Sequence, residues 1–290
     1  MTSPRPYSTA PASWAPVPRW AVRTLGRALR HPRTTRAARV LARRVLIPLA
    51  RHRARARVDR LSQGQVTIVT VNWNSWDYLT VLLDVVRRRS PVGTRILVVD
   101  NGSTDGSRRH LRHRDDVETL FFPVNLGHEI ALDLGVLSCR TEFFIVLDVD
   151  AFPLHDRWTS ELLTPLDHGA EISGARLWRP YVHPCCLAMR TARFVTRGHS
   201  FRSDYRPRTQ SAVASGDVGE ELSAREAPRL HFFDISSQRG PGDIGTVFGD
   251  LVYHNFYGTR FGGGAAVLDK QITPGDPRAA WAEALERYVR

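Results

Sequence analysis

Two carboxylates separated by a single residue follow an apolar run near the middle of this 290-residue chain. The run FFIVL occupies residues 143–147, and Asp148-Val149-Asp150 comes directly after it. Side chains at positions i and i+2 of an extended chain point to the same side, so both carboxylates face one spot. Hard oxygen ligands with open positions suit Mg²⁺ or Mn²⁺ held jointly with a diphosphate. The sequence therefore predicts a divalent cation at this strand end; the alternative is a solvated turn.

The apolar runs of residues 66–153 alternate with helical patterns. Strands are predicted over residues 66–71, 95–99, 117–122 and 143–147, with helices over 76–89, 107–112 and 128–138. This alternation predicts a largely parallel sheet with helices on both faces. Ligands of such sheets bind outside the carboxyl ends of the strands. The polar side chains at those ends belong to Asn72, Asn74, Asp100, residues 123–127, Asp148 and Asp150.

Four segments in this order resemble the nucleotide-binding half of family 2 glycosyltransferases of the GT-A type. They are VTIVTVNWN, RILVVDNGSTDGS, FPVNLGHEIALDLG and FFIVLDVDAFP, which lie within residues 66–153. The resemblance implies an α/β GT-A fold, in which a Rossmann-like nucleotide-binding sheet precedes a C-terminal acceptor-binding part. It also implies that Asp100 contacts the base or ribose and that Asp148 contacts the ribose and the metal. Asp150 would be the main metal ligand. Asn74 and Asn125 would shape the nucleotide pocket.

The chain departs from this family in the helix after the Asn-Leu-Gly turn. Many relatives carry Arg there, with Asn or Lys nearby, whereas this chain has HEIALD over residues 128–133. The resemblance therefore does not imply that this helix contacts the phosphates of the donor. His128 either faces the pocket in place of the missing cation or only begins the helix.

The second half of the chain resembles the acceptor side of the same family. The segment HPCCLAMRTARF, residues 183–194, is similar to the strand that lines the acceptor site, and SGDVGEEL follows at residues 215–222. Relatives place an acidic pair here, and one carboxylate acts as the base that deprotonates the acceptor hydroxyl. Asp217 is the preferred candidate, followed by Glu220 and Glu221. The alternative is that Asp217 only caps a helix.

The last polar cluster lies in residues 250–260. GT-A enzymes often bring a C-terminal His back to the metal, and His254 stands at the matching place. The alternative is a structural histidine. Arg260 would pair with the diphosphate of the nucleotide, because a guanidinium binds phosphate through two parallel hydrogen bonds.

The basic charge of the chain is confined to its first 60 residues. The formal charge is +12, yet residues 1–60 contain fifteen Arg and one acid, Asp59, so the remainder carries a net charge of −2. Residues 1–18 are predicted to be disordered. Residues 19–57 have an amphipathic helical pattern, in which Val40, Leu41, Val45 and Leu46 recur among the arginines. This helix either lies on an anionic membrane surface or packs on the main domain, and an organelle transit peptide is a further alternative.

Nucleic acid is not an expected partner, because no reading motif accompanies the charge. Three cysteines give no disulfide framework, and no apolar run approaches a membrane span or a secretory signal. These features predict a cytoplasmic protein that lies peripherally on the membrane if the basic helix binds lipid.

The sequence predicts four parts: an extension over residues 1–60, a nucleotide-sugar-binding half over 61–168, an acceptor-binding and catalytic half over 169–270, and a terminal helix over 271–290. The implied function is transfer of a hexose-like sugar to an acceptor hydroxyl, with inversion and a divalent metal. A UDP- or dTDP-sugar is the expected substrate. Two alternatives are a non-catalytic, membrane-attached GT-A binding module and a phosphatase of the haloacid-dehalogenase type.

Overall fold

The computed structural model describes residues 32–177, 179–202, 216–238, 244–256 and 276–290. Arg260 lies outside the described residues. So do residues 1–31 of the basic extension, which include the stretch 1–18 that is predicted to be disordered. The strands are β1 Ser62–Asn72, β2 Arg95–Asp100, β3 Glu118–Phe121, β4 Thr141–Leu147, β5 Ala151–Pro153, β6 Ile172–Ala175, β7 Cys186–Arg190, β8 Leu230–Phe233, β9 Ile235–Gln238, β10 Thr246–Phe248 and β11 Val252–His254.

The helices connect and cover these strands. They are α1 Pro32–Leu41, α2 Ile47–Arg55, α3 Trp76–Arg89, α4 Ser107–Leu111, α5 His128–Val136, α6 Trp158–Asp167, α7 Thr191–Thr196, α8 Glu220–Glu226 and α9 Pro277–Tyr288. A π-helical turn, Ala42–Leu46, joins α1 to α2, and a 3₁₀ turn, Val58–Arg60, precedes β1. The strands and helices predicted between residues 66 and 153 are all present within a few residues of their expected ends.

The central sheet has seven strands in the order β3-β2-β1-β4-β7-β6-β8. Strands β1 to β4 are mutually parallel, whereas β7 runs antiparallel to both of its neighbours. The last seven residues of β1 are buried and rich in Val, Ile and Thr, as expected for a strand covered on both faces. The fold is therefore the mixed α/β arrangement, with a mostly parallel central sheet, that the alternation predicts.

The helices after β1 and β3 pack on opposite faces of this sheet. On one face, α3 buries Leu79, Leu82, Leu83 and Val86 at helical spacing. On the other, α5 approaches the sheet so closely that a Cβ on Gly135 would lie 2.8 Å from Val69 Cγ1. A residue larger than glycine at this position would push the helix away from β1.

A second, antiparallel sheet has the order β5-β11-β10-β9. Helix α9, at the predicted position of the terminal helix, packs Trp281 against Phe152 of β5 and Tyr253 of β11. The Tyr253 hydroxyl donates a hydrogen bond to the Asn255 side chain, whose amide donates in turn to the Pro277 carbonyl. The helix thus stabilises the short strand that ends at His254.

The helix of the basic extension packs on the main domain through small residues. Ala38, Ala42, Leu46, Ala50 and Ala54 are buried at intervals of four residues and form an inner stripe. This corrects the predicted apolar stripe, because Val40, Leu41 and Val45 are exposed and only Leu46 is buried. Alanine allows the helix backbone to lie close to the domain, which a stripe of larger side chains would prevent. Within the described residues, no helix is both long and apolar enough to cross a membrane.

Candidate functional site

A pocket of about 300 Å³ lies at the carboxyl ends of β1, β2 and β4. It is where an α/β sheet of this kind binds its ligands. Its lining comes from both halves of the chain: Val71, Trp73, Ser75, Asn101, Asn125, His128, Asp148, Val149, Asp150, His183, Pro184, Asp217, Val218, His254 and Phe256.

Three potential metal ligands meet in this pocket. One side-chain atom each of Asp148, Asp150 and His254 lies within 4.8 Å of the others. His254 Nε2 is 3.2 Å from Asp150 Oδ1 and 3.5 Å from Asp148 Oδ2. Asp150 and His254 are buried, while the Asp148 side chain is 19% exposed. The structure therefore brings together the three residues that the sequence assigns to the metal.

Strand pairing brings His254 to the aspartates from far along the chain. Strand β11 pairs antiparallel with β5, so that His254 lies opposite Ala151. The next residue continues the contact, because the Asn255 amide donates to the Asp150 carbonyl at 2.9 Å. A backbone ladder holds the imidazole beside both carboxylates.

The chemistry of this donor set fits a divalent cation. Ligand atoms about 2.1 Å from an octahedral cation lie about 3 Å from their neighbours, close to the two distances from His254 Nε2. Two carboxylates and one imidazole suit Mn²⁺ well, and the oxygen ligands suit Mg²⁺. The set also leaves coordination positions for a ligand.

The loops after β1 and β2 are joined by side-chain hydrogen bonds. Asn74, with a φ of 53°, accepts through its side-chain oxygen from the Thr104 amide at 2.7 Å. Gly102 is required here, because its φ is 86° and a Cβ would lie 2.5 Å from the Val124 carbonyl carbon. Asn74 does not line the pocket, so it shapes the site through the loop that it holds.

Asp100 lies beneath the pocket rather than in its wall. Its side chain is fully buried, accepts from Asn72 Nδ2 at 3.2 Å and from the Ser103 amide at 3.3 Å, and lies 3.6 Å from Arg108 Nε. The pocket wall is formed by the next residue, Asn101. The contact predicted between Asp100 and a base or ribose would require this carboxylate to become exposed.

Asn101 and Asn125 interlock the loops that follow β2 and β3. Asn101 accepts from the Leu126 amide at 2.8 Å and donates from Nδ2 to Asn125 Oδ1 at 3.2 Å. Asn125 Oδ1 also accepts from the Gly127 amide at 2.8 Å. Both side chains line the pocket, as predicted for Asn125 and missed for Asn101.

His128, at the start of α5, faces the pocket. Its Nε2 lies 3.4 Å from Asp148 Oδ1, and its side chain is 40% exposed. Of the two interpretations of this residue, the structure favours the one in which it faces the pocket.

On the opposite side of the pocket, Asp217 is held by a cluster of polar side chains. The Tyr181 hydroxyl donates to Asp217 Oδ2 at 2.7 Å, and Arg179 Nη2 lies 3.5 Å from the same oxygen. Burial raises the pKa of Tyr181, and the neighbouring Asp217 raises it further. The tyrosine therefore keeps its proton and remains a hydrogen-bond donor to the carboxylate at neutral pH.

Glu220 and Glu221 have different surroundings. Glu220 accepts from the Asp217 amide at 2.9 Å and from Arg179 Nη1 at 3.0 Å, while Asp217 Oδ1 accepts from the Val218 amide at 2.7 Å. Glu221 pairs with Arg225 on α8 at 2.8 Å. Of the three predicted acidic candidates, only Asp217 lines the pocket. Its bond to the Val218 amide orders the turn before α8, whose N-cap residue is Gly219 and which has no side-chain cap.

His183 was not singled out from the sequence, where it is a lone His before a strand. Its Nδ1 accepts from the Cys185 amide at 3.1 Å, which leaves the ring proton on Nε2. Burial lowers the pKa of His183 to about 3, and the neighbouring His254 contributes. The neutral ring lines the pocket between the metal ligands and Asp217 and offers one N–H group to a ligand.

Part of the chain is similar to known proteins. Residues 67–184 match the family model described as glycosyl transferase family 2. No curated protein sequence is significantly similar to the chain.

Solved structures with a similar fold include a mannosyltransferase from Pyrobaculum calidifontis in complex with GDP-Man and Mn²⁺. It is 17% identical, the match covers 76% of this chain and 70% of that one, and the TM-score is 0.48. Another is TarS from S. aureus in complex with UDP-GlcNAc, at 15% identity, with coverage of 61% and 59% and a TM-score of 0.44.

A third is glucosyl-3-phosphoglycerate synthase from Mycobacterium tuberculosis in complex with Mn²⁺, UDP and phosphoglyceric acid. It is 15% identical, with coverage of 50% of this chain and 60% of that chain and a TM-score of 0.37. The second and third matches thus cover about three fifths of the solved chains.

The family match includes most of β1, strands β2 to β6, Asp148, Asp150 and His183, and it argues against the haloacid-dehalogenase alternative. Together with the mostly parallel sheet, it establishes a glycosyltransferase domain of the GT-A type. Residues 67–184 thus form a glycosyltransferase domain that matches the model of glycosyl transferase family 2.

Proposed function

We propose that the protein transfers a sugar from a nucleotide-diphosphate sugar to an acceptor hydroxyl, with inversion at the anomeric carbon. The observation that carries this proposal is the single pocket in which Asp148, Asp150 and His254 face Asp217. The two aspartates and His254 suit a metal-bound diphosphate, and Asp217 suits an acceptor hydroxyl. A non-catalytic binding module would need only the diphosphate-binding group.

The aspartates and His254 are proposed to hold Mn²⁺ or Mg²⁺. When bound, the cation would neutralise the negative charge on the departing nucleoside diphosphate. His128, at the start of α5, is proposed to donate a hydrogen bond to an oxygen of the same group. Arg260 remains a proposed diphosphate contact from the sequence.

Asp217 is proposed to act as the base. The acceptor oxygen forms a bond to the anomeric carbon while the bond from that carbon to the phosphate oxygen breaks. The proton of the acceptor hydroxyl passes to Asp217, and the electron pair of the broken bond leaves with the diphosphate. Tyr181 and Arg179 position the carboxylate for this step.

The expected substrates are UDP- or dTDP-sugars. Asn101 and Asn125 would border the nucleotide, while Asn74 and Asp100 support the loops beneath it. The boundary between a nucleotide-binding half and an acceptor-binding half near residue 168 is part of the same proposal. Contact of residues 19–57 with an anionic membrane surface is also proposed.

The decisive experiment is a screen of UDP-, dTDP- and GDP-sugars with the full chain. Thermal shift with Mn²⁺ present identifies binding, because a ligand of the folded state raises its stability. Each stabilising nucleotide sugar is then incubated with and without Mn²⁺, and release of the nucleoside diphosphate is measured. Metal-dependent release supports the proposal, while binding without release, in the presence of simple hydroxyl acceptors, would favour the non-catalytic binding module.

A further inference from the structure

The exposed apolar side chains of this protein are concentrated on one helix. Among the described residues, five large hydrophobic side chains are exposed: Val40, Leu41, Val45, Val92 and Ile235. Three of the five lie within six residues of one another on α1 and the π-helical turn. Such concentration is unusual, because scattered exposed hydrophobic residues are common and clusters mark interaction sites.

These three residues belong to a continuous surface, which we call the outer face. It consists of Ala37, Val40, Leu41, Val45 and Pro48, all of them exposed. Ala37, Leu41 and Val45 are spaced by four residues, so they form a row on one side of the helix. The outer face lies away from the inner stripe, which is buried against the domain.

The surroundings of the outer face are basic. Residues 32–60 contain ten Arg and a single acid, Asp59. Arg36, Arg39 and Arg44 are exposed beside the apolar row. An apolar row flanked by arginines is the composition of a helix that lies in the headgroup region of an anionic bilayer, since Arg can extend its charge toward phosphate while its stem covers apolar surface.

Other arginines of the same helix serve the domain instead. Arg51 donates to the carbonyls of Phe194 and Val195 at 3.2 and 3.4 Å, and also to the His199 carbonyl. Burial lowers the pKa of Arg51, and Asp133 opposes this effect. The helix is thus attached to the domain on one side, and any lipid contact on the other side would hold the whole domain at the surface.

The attachment also places the helix beside the pocket. Arg39 Nε lies 3.7 Å from the position that a Cβ on Gly127 would occupy, and Arg43 pairs with Glu129. Gly127 and Glu129 flank His128, which lines the pocket. The N-terminal part of the helix is therefore next to the pocket rim.

We propose that the outer face docks on an anionic phospholipid bilayer and holds the pocket close to the membrane surface. The apolar row enters the headgroup boundary, while Arg36 and Arg44 contact lipid phosphates. This inference does not depend on glycosyl transfer. It assigns the lipid contact to specific residues of the basic extension and leaves the inner stripe to the domain.

The first test is flotation of the full chain with vesicles of phosphatidylcholine, with and without phosphatidylglycerol. Leu41→Glu/Val45→Glu should weaken binding to the anionic vesicles roughly tenfold or more, because it removes apolar contact and adds repulsion. Val92→Glu, which changes an exposed valine before β2, is the matched control and should bind like the unmodified chain. Unchanged binding of the double variant would overturn the proposal.

The charge contribution is tested in the same assay. Arg36→Gln/Arg44→Gln should reduce binding to anionic vesicles by roughly tenfold at low salt, and added salt should diminish the difference. Arg109→Gln/Arg197→Gln removes two exposed arginines elsewhere and serves as the control. Equal losses in both pairs would mean that overall charge, rather than this face, drives binding.

A direct readout comes from labelling. The three native cysteines are buried, and burial raises the pKa of Cys139 and Cys186 to about 12, so an environment-sensitive dye should react selectively with an introduced thiol. The dye on Val45→Cys should shift to the blue with anionic vesicles, whereas on Val92→Cys it should not.

Folding and self-association are checked in parallel. The outer-face variants should keep their melting temperature, because the changed side chains are exposed. If Leu41→Glu/Val45→Glu does not fold, Leu41→Ala/Val45→Ala removes the apolar area while retaining helix propensity. Light scattering that shows a dimer converted to a monomer by these variants would assign the outer face to a second copy of the chain and overturn lipid docking.

Discussion

The two sides of the pocket are built in different ways. Asp148, Asp150 and His254, the strand-end side, are positioned by β4, β5 and β11 through backbone hydrogen bonds. Arg179, Tyr181, Asp217 and Glu220, the loop side, are positioned mainly by hydrogen bonds and ion pairs between side chains.

This difference indicates on which side of the pocket the positions of several residues depend on a single side chain. A backbone ladder persists when a side chain is replaced. Substitutions on the strand-end side should therefore remove the function of the replaced side chain without moving the neighbouring residues. A side-chain network loses several contacts when one member is removed. Changes on the loop side should therefore spread to residues that carry no chemistry themselves.

The largest expected effect is that of Asp150→Ala. It should abolish transfer, because a lost metal contact removes several kcal/mol of stabilisation of the departing charge. Calorimetry should show that metal-dependent binding of nucleoside diphosphate is lost as well. Asp156→Ala, an exposed aspartate after β5, is the control and should retain both properties. Unchanged metal-dependent binding by Asp150→Ala would contradict the assignment.

Asp217→Asn should have the next largest effect. The amide keeps the size of the carboxylate but cannot accept the acceptor proton at neutral pH, so single-turnover rates should fall roughly 10²–10⁴-fold. Binding of the nucleotide sugar should change little. Glu221→Gln, on α8 close to Asp217 in sequence and outside the pocket lining, should leave the rate nearly unchanged.

The alternative interpretation of Asp217 makes a different prediction. If the carboxylate only orders the turn before α8, Asp217→Ala should lose about 0.5–2 kcal/mol of stability, as for a lost side-chain bond to a backbone amide, and retain near-normal turnover at low temperature. Melting temperature and single-turnover rate, measured on both Asp217 variants, separate the two cases. A stable and fully active Asp217→Asn protein would move the base to Glu220 or Glu221.

A smaller effect is expected for Tyr181→Phe. The change removes the hydroxyl that donates to Asp217 Oδ2 and leaves the aromatic ring in place. We expect turnover to fall roughly tenfold, the equivalent of one hydrogen bond to a charged group, with little change in binding of the nucleotide sugar. A loss of nucleotide-sugar binding equal to the loss of turnover would show that Tyr181 supports the whole pocket. The two sides of the pocket would then not differ in the way described.

The smallest effect on activity is expected for Asp133→Asn. Asp133 joins α5 to residues 200 and 201 of the second half of the chain. Asp133 on α5 accepts from Ser200 Oγ at 2.5 Å and from the Phe201 amide at 2.9 Å. Burial raises its pKa from 3.8 to about 6. An asparagine can keep both contacts, since its oxygen accepts from the amide and its nitrogen donates to the hydroxyl.

The effect of this change should appear in stability as a function of pH. Between about pH 4 and 6 the folded protein binds more protons at this position than the unfolded chain does, so stability falls as the pH rises through this range. The penalty above pH 6 is on the order of 3 kcal/mol. Asp133→Asn should remove this fall and raise the melting temperature at pH 7.5 by several degrees. Parallel pH profiles of the variant and the unmodified chain would refute the assignment.

Much of the parallel sheet could be predicted from the sequence because its signals are local. Apolar runs that end in Asn72, Asp100 and Asp148 indicate both the strands and the edge where ligands bind. The proximity of His254 to the aspartates could be inferred only from family resemblance, since the pairing of β11 with β5 joins segments about 100 residues apart.

Two features could not be predicted from the same signals. Helical periodicity shows that residues 32–55 are amphipathic, but it does not show that alanines rather than Val40, Leu41 and Val45 pack on the domain. Contacts of Tyr181 and Arg179 with Asp217 join residues in loops, where no periodic pattern exists.

The distance along the chain between Asp150 and His254, 104 residues, has a consequence for biosynthesis. A ribosome that adds about 5–20 residues per second needs roughly 5–20 s to proceed from one ligand to the other. During that interval the parallel strands can form, while the third proposed metal ligand has not yet been made. The nascent chain therefore passes through a stage in which the parallel strands and both aspartates exist without His254.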